Sequence, residues 1–187
     1  MKRKIALGCI LGVLVGTAGA ASADILTSWN GTDYAIVTQW HGTWDQAREM
    51  ALAKGWDLAA VTSQAEQNFL VSVLDNNHLS GEFWLGGRQT GTNLAPDQGW
   101  QWVTGEDSSY TSWAKGEPND WHGINERYLG MLGSHDWNWN DEHANSNITG
   151  YVAERTGSPA PVPEPASMLL LSTGLLGLAG LRQRKGR

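Results

Sequence analysis

Between residues 33 and 155 the spacing of apolar positions changes several times, and each change marks a different element. Tyr34-Ala-Ile-Val-Thr38 is a short run of strand-forming residues. From Thr43 the spacing lengthens, so that Trp44, Ala47, Met50 and Ala51 share one helical face; Thr43 and Gln46 form a capping box and Gly55 stops the helix. The same box recurs at Ser63 and Glu66. It opens a second helix that buries Phe69, Leu70, Val73 and Leu74 and ends at Asp75-Asn76-Asn77. Beyond it, helix signals fade. Short apolar runs at Phe83 to Leu85, Trp100 to Val103, Tyr128 to Leu132 and Tyr151 to Ala153 are separated by long stretches rich in Gly, Trp, Asn and Asp. Loops of that length need something to order them, and a function or a bound ion is the usual reason. The pattern predicts strands mixed with two helices, with a core supplied largely by the 11 tryptophans.

The two ends read differently. Residues 1–23 combine MKRK, an apolar run from Ile5 to Val15 and small residues closing on Ala21-Ser22-Ala23, the three parts of a cleavable secretory signal. The single cysteine, Cys9, lies inside it, so a domain starting at Asp24 has no disulfide to lean on. Residues 156–165 form a Pro-rich linker, residues 166–181 an apolar stretch just short of a comfortable membrane crossing, and residues 182–187 a basic end that would stay on the cytoplasmic side. Pro163-Glu164-Pro165, the apolar stretch and the basic end resemble the PEP-CTERM sorting signal of bacterial proteins. That resemblance implies an exosortase-type membrane protease as partner, transient membrane association through 166–181, and delivery to the cell surface or an extracellular matrix.

Charge narrows the partners. Residues 24–162 carry six Lys or Arg against 18 Asp or Glu, a formal charge of −12. Phosphate backbones are bound by Lys and Arg, so nucleic acid is excluded as a partner, whereas cations are suited. His122, His135 and His143 have neither the spacing nor the cysteine partners of a zinc site and read as solvated loop residues. Asn30-Gly-Thr32 and Asn147-Ile-Thr149 match the glycosylation pattern but carry little weight in a bacterial-looking export context.

Trp44-Asp-Gln-Ala47, Leu58-Ala-Ala-Val-Thr-Ser63, Phe83-Trp-Leu-Gly-Gly87, Trp100-Gln-Trp-Val-Thr-Gly105, Trp113-Ala-Lys-Gly-Glu-Pro-Asn119, Trp139-Asn-Asp141 and Tyr151-Val-Ala-Glu154 occur in order. Together they resemble C-type lectin-like domains over residues 24–155. The resemblance implies an α+β fold in which two helices flank small antiparallel sheets with a long calcium-binding loop region. It also places Tyr128 and other residues where family members carry cysteines, so stability here must come from the core, with metal as a candidate further support.

Calcium takes about six to eight oxygen ligands, and Glu117, Asn119, Glu126, Asn140 and Asp141 are all of that type. In the family such residues converge on one Ca2+ beside a cis proline, here Pro118, and the same side chains hold two vicinal hydroxyls of a sugar. Glu-Pro-Asn goes with mannose-type sugars in the family, so the implied partner is a glycan or exopolysaccharide. The spacing from Asn119 to Glu126 is one residue longer than in mannose-binding members, which leaves Glu126 or Asn125 for that position. Asn93, Asp97 and Asp120, sharing Glu126, resemble an auxiliary metal site. Trp121 and Trp137 are candidates for stacking on a sugar ring. A paired-carboxylate glycosidase built on Glu117 with Glu126 or Asp141 lacks supporting motifs, so an enzyme is not expected. Two functions remain open: a secreted calcium-dependent carbohydrate-binding protein, or a calcium-stabilised adhesion or matrix protein that binds another protein.

Overall fold

The structure is a computed structural model that describes residues 24–156. The secretory signal (1–23), nearly all of the linker, the apolar sorting stretch (166–181) and the basic end (182–187) lie outside the described residues.

The chain opens with a hairpin, β1 (Ile25–Trp29) and β2 (Thr32–Val37). Asn30 and Gly31, at φ 49° and 86°, make the two-residue turn that this dipeptide favours. The Asn-Gly pair announces the hairpin in the sequence, yet the reading above took it only as part of a glycosylation pattern. Helix α1 (Trp44–Ala53) starts at Thr43, and both halves of the expected capping box form. Gly55 at φ 78° follows its end. Trp44, Ala47 and Ala51 are buried as expected, whereas Met50 is 44% exposed, because it lies on the margin of the face.

After the two-residue strand β3 (Asp57–Leu58) comes α2 (Gln64–Asn76). Ser63 caps it by accepting from the Glu66 N–H, but the Glu66 side chain does not complete the box. It accepts instead from the Tyr34 hydroxyl at 2.5 Å and from the Thr62 N–H at 2.9 Å, tying α2 to β2. Leu70 and Leu74 are fully buried, and Phe69 and Val73 pack against the core from partly buried positions.

The later strands are β4 (Glu82–Gln89), β5 (Trp100–Trp102), β6 (Tyr128–Leu132), β7 (Asn138–Glu142) and β8 (Gly150–Thr156). The two helices and the mainly antiparallel pairing are those of the expected α+β fold, and the small antiparallel ladders join into one mixed sheet. One sheet runs β1-β2-β8-β4-β6-β7, with β3 added on β8 and β5 on β4, and β4 pairs with β8 in parallel. The two hairpin systems are joined where Gly150 passes Val37 and Phe83 so closely that a Cβ would meet the Val37 carbonyl. Alternation along β4 divides the core. Phe83 and Leu85 face α2 with Leu70, Leu74, Met131, Trp137 and Trp139, while Trp84 faces α1 with Trp44, Ala47, Leu58 and Tyr151. Tyr128 tilts against Trp44 at 4.9 Å between ring centroids and meets Trp84 edge-on. Aromatic packing therefore holds Tyr128, at the position where the resemblance puts a cysteine in family members.

Candidate functional site

The loop after β5 is hung on β7. Trp139 donates its N–H to the Ser112 carbonyl and its own carbonyl accepts from Ala114, so the segment leading to Glu117 runs beside the strand that carries Asn140 and Asp141. The Glu117-Pro118 bond is cis. Asp141, only 1% exposed, then draws the next residues in: its carboxylate accepts from the Asn119 N–H at 2.9 and 3.0 Å and from the Asp120 N–H at 3.0 Å. Glu126, 8% exposed, accepts from the Trp121 N–H, and its own N–H is taken by Asp120. Asn125 is exposed, so the structure turns Glu126 and not Asn125 toward this loop.

Four of the five expected residues, Glu117, Asn119, Glu126 and Asp141, thus sit in one hydrogen-bonded loop cluster. Burial, followed by the adjacent Asp141, pushes the Glu117 carboxyl up to about 7. Burial also raises Glu126, against the lowering effect of the Trp121 N–H. The cluster is rich in acceptors that lack donors: Glu117 Oε2 and Asn119 Oδ1 are both buried without a hydrogen-bond partner. Buried polar atoms are normally satisfied, and crowded, unpaired oxygen acceptors are what a hard cation takes. The donor set therefore fits calcium. Among the described residues no three His, Cys, Asp or Glu side chains stand together as a ready-made metal cluster.

The fifth residue, Asn140, is held from behind by carboxyl groups that sequence reasoning missed. Its Nδ2 donates to Glu142 Oε1 at 2.9 Å and to Glu82 Oε1 at 3.4 Å, which leaves Oδ1 as its free group. Glu82 reaches it across β6 only because Gly130, paired with Asn140, has no side chain; a Cβ there would lie 2.5 Å from Glu82 Oε1. Burial and Glu142 push the Glu82 carboxyl up to about 9. Strand alternation puts Glu82 on one face with Trp84, but nothing in the sequence signals the gap at Gly130.

Of the expected auxiliary set, Asp120 and Glu126 are joined, whereas Asn93 is exposed in a left-handed turn and Asp97 lines a separate aromatic cavity. Trp121 is 62% exposed beside the cluster. Trp137 is 4% exposed, packs on Phe83 and donates to Asp75, so it cannot stack on a sugar. His122 and His135 are exposed as expected, though each lies in a short 3-10 turn (Trp121–Gly123 and Gly133–His135), and His143 is partly buried in a loop.

Comparison with known proteins places this geometry. Residues 41–152 match the Lectin C-type domain family, and residues 161–185 match the PEP-CTERM protein-sorting motif. The mouse C-type lectin domain family 4 member G is 34% identical over 117 residues, 62% of this chain and 37% of that protein. The chain thus spans little more than a third of that relative. The galactose-specific lectin nattectin of Thalassophryne nattereri is 30% identical, covering 60% of this chain and 70% of its own. Among solved structures, the cow C-type carbohydrate-recognition domain of CD23, crystallised in the presence of a GlcNAc2Man3 oligosaccharide, is 27% identical with a TM-score of 0.58, covering 71% of this chain and 94% of that one.

Proposed function

The chain belongs to the C-type lectin domain family and carries a PEP-CTERM sorting motif, and from that premise we propose that it is an exported, calcium-dependent binder of mannose-type sugars. The observation that carries the proposal is the pair of buried, partnerless acceptors, Glu117 Oε2 and Asn119 Oδ1, beside the buried carboxylates of Asp141 and Glu126. Glu117, Asn119, Glu126, Asn140 and Asp141 would hold the ion. A calcium held there, taking up to eight oxygens, would have room for two vicinal hydroxyls of a sugar. The side chains would do the rest: carboxylates accept hydrogen bonds from the hydroxyls, and the clamp of Glu82 and Glu142 on the Asn140 Nδ2 leaves its amide oxygen free for the ion. The order Glu117-Pro118-Asn119 and the mannose-containing oligosaccharide present with the CD23 domain favour mannose over galactose, although nattectin is a galactose-specific lectin. A second calcium at Asn93, Asp97, Asp120 and Glu126 has less support, because the described contacts join only the last two. The sorting motif supports processing by an exosortase-type protease, transient membrane association through 166–181 and release to the cell surface or matrix, where an exopolysaccharide is the natural glycan partner.

The test is calorimetric titration with calcium, then with mannose, alongside a glycan array with and without chelator. Chelator-sensitive binding to mannose-type glycans is expected. A calcium-loaded protein that binds no glycan on a broad array overturns the reading. The second reading, a protein partner, is favoured by one observation: Trp121 and Ile124, 62% and 47% exposed, form an apolar pair beside the cluster.

A further inference from the structure

Away from the calcium cluster, a cavity of about 200 Å³ opens between β5 and the loop that follows it. Its aromatic lining is Trp100, Trp102, Tyr110, Trp113 and Trp139, and the exposed Asp97 stands at its rim. No Lys, Arg or His lines it. We propose that this cavity is an aromatic cage for a small quaternary ammonium group of the choline type.

Three features select that chemistry. The first is the arrangement of the rings. Trp139 meets Trp102, Tyr110 and Trp113 at 90°, 84° and 85°, with centroids 5.5 to 5.6 Å apart, while Trp100 tilts against Trp113 at 60°. Crossed planes surround a rounded group on several sides. They offer no parallel pair of faces between which a flat sugar ring could stack. Aromatic faces are the negative ends of ring quadrupoles, and a methylated ammonium is the cation they hold best, because it forms few hydrogen bonds with water that must be given up.

The second is the charge. Asp97 is the single ionisable group in the lining apart from the Tyr110 hydroxyl, in a domain with a formal charge of −12 over residues 24–162. An anion is repelled there and a cation is drawn in.

The third is the pair of polar atoms left over. The Trp100 indole N–H is fixed on the Pro96 carbonyl at 2.7 Å and that of Trp139 on Gln67 Oε1 at 3.0 Å, so these walls are already held in place. Trp102 Nε1 and the Tyr110 hydroxyl are buried without partners. Trp102 is itself 6% exposed. An indole N–H can only donate, so an acceptor on the occupant, such as the choline hydroxyl, would satisfy it once these closely packed ring edges part. The cavity is smaller than the roughly 300 to 1,000 Å³ of pockets for drug-sized ligands, which limits it to one compact head group.

The experiment titrates the calcium-chelated protein with choline, with its neutral isostere 3,3-dimethylbutanol and with phosphocholine at fixed ionic strength, read by tryptophan fluorescence and calorimetry. Choline is expected to saturate and to bind about tenfold more tightly than the isostere, the worth of a desolvated cation–π contact. Phosphocholine is expected to bind more weakly than choline, because Asp97 opposes its phosphate. Trp113→Ala should weaken choline about tenfold and Trp113→Phe less, with Asp97→Asn narrowing the gap between choline and phosphocholine. Equal affinity for choline and the isostere would make the cavity merely apolar. That result, or an absence of saturation at tens of millimolar choline, overturns the proposal, and the ligand comparison on the wild-type protein needs no variant to fold. Because calcium is chelated throughout, failure of the mannose reading leaves this outcome unaffected.

Discussion

Replacing Glu117 by Gln is expected to move the calcium-free and calcium-loaded proteins in opposite directions. Without calcium, the Glu117 carboxyl stands at about 7 against an ordinary 4.5, raised first by burial and then by Asp141. A carboxyl whose folded value exceeds its unfolded one destabilises the fold when ionised. The penalty is absent below the unfolded value, grows as pH rises, and is complete above about 7. At about 1.4 kcal/mol per pH unit the gap corresponds to ~3 kcal/mol for a fully buried group. Glu117 is only half-buried, and solvent screening reduces this to about 1 kcal/mol. Gln keeps the shape and removes the charge, so the calcium-free variant should melt about 4 °C above wild type near pH 8, with the gain gone near pH 5. With calcium the same change would remove a carboxylate from the proposed ligand set. Wild type should gain ~2.7 kcal/mol at a hundredfold excess of calcium over its Kd, and the variant less than half of that. Scanning calorimetry in chelator and in excess calcium reads both effects. A variant that melts below wild type in chelator, or that keeps the full calcium increment, refutes the idea that crowded carboxylates here await a cation.

Three further outcomes follow from the same geometry. Gly130→Ala places a methyl 2.5 Å from Glu82 Oε1 and should cost about 2 kcal/mol in urea unfolding. It should also lower calcium affinity about tenfold through Asn140, an effect that calorimetry would find missing if the clamp is irrelevant. Glu154 accepts a hydrogen bond from the Ala60 N–H at 3.0 Å, yet burial, with Glu106 and Glu66 nearby, raises its carboxyl to about 8. Its ionisation destabilises the fold progressively from about pH 4.5 to 8, so Glu154→Gln should raise the melting temperature near pH 9 and leave it unchanged near pH 4. Trp121→Ala should change stability by less than ~0.5 kcal/mol, because the side chain is 62% exposed, while weakening sugar binding about tenfold in the glycan assay. Unchanged affinity would remove Trp121 from the sugar site.

The sequence by itself determined what depends on neighbours along the chain. The capping box at Thr43 and Gln46, the helical faces of Trp44, Ala47, Ala51, Leu70 and Leu74, and the strands from Phe83 and Tyr128 follow from local hydrogen bonds and apolar spacing, and the structure keeps them. The ordered motifs likewise identified the family, and they nominated five oxygen-bearing residues as a ligand set. Where the sequence reading went astray, contacts between distant segments decided the result. Glu66 leaves its local box because Tyr34, 32 residues away, supplies a buried donor. Trp137 turns inward because Phe83 and Asp75 wait there, an arrangement no periodicity within its loop encodes. The parallel pairing of β4 with β8 and the reach of Glu82 across Gly130 to Asn140 exist only once three strands lie side by side. Local propensity specifies which atoms a segment can offer, but the partner that satisfies a buried polar group or fills an apolar gap comes from elsewhere in the chain, so the tertiary fold decides it.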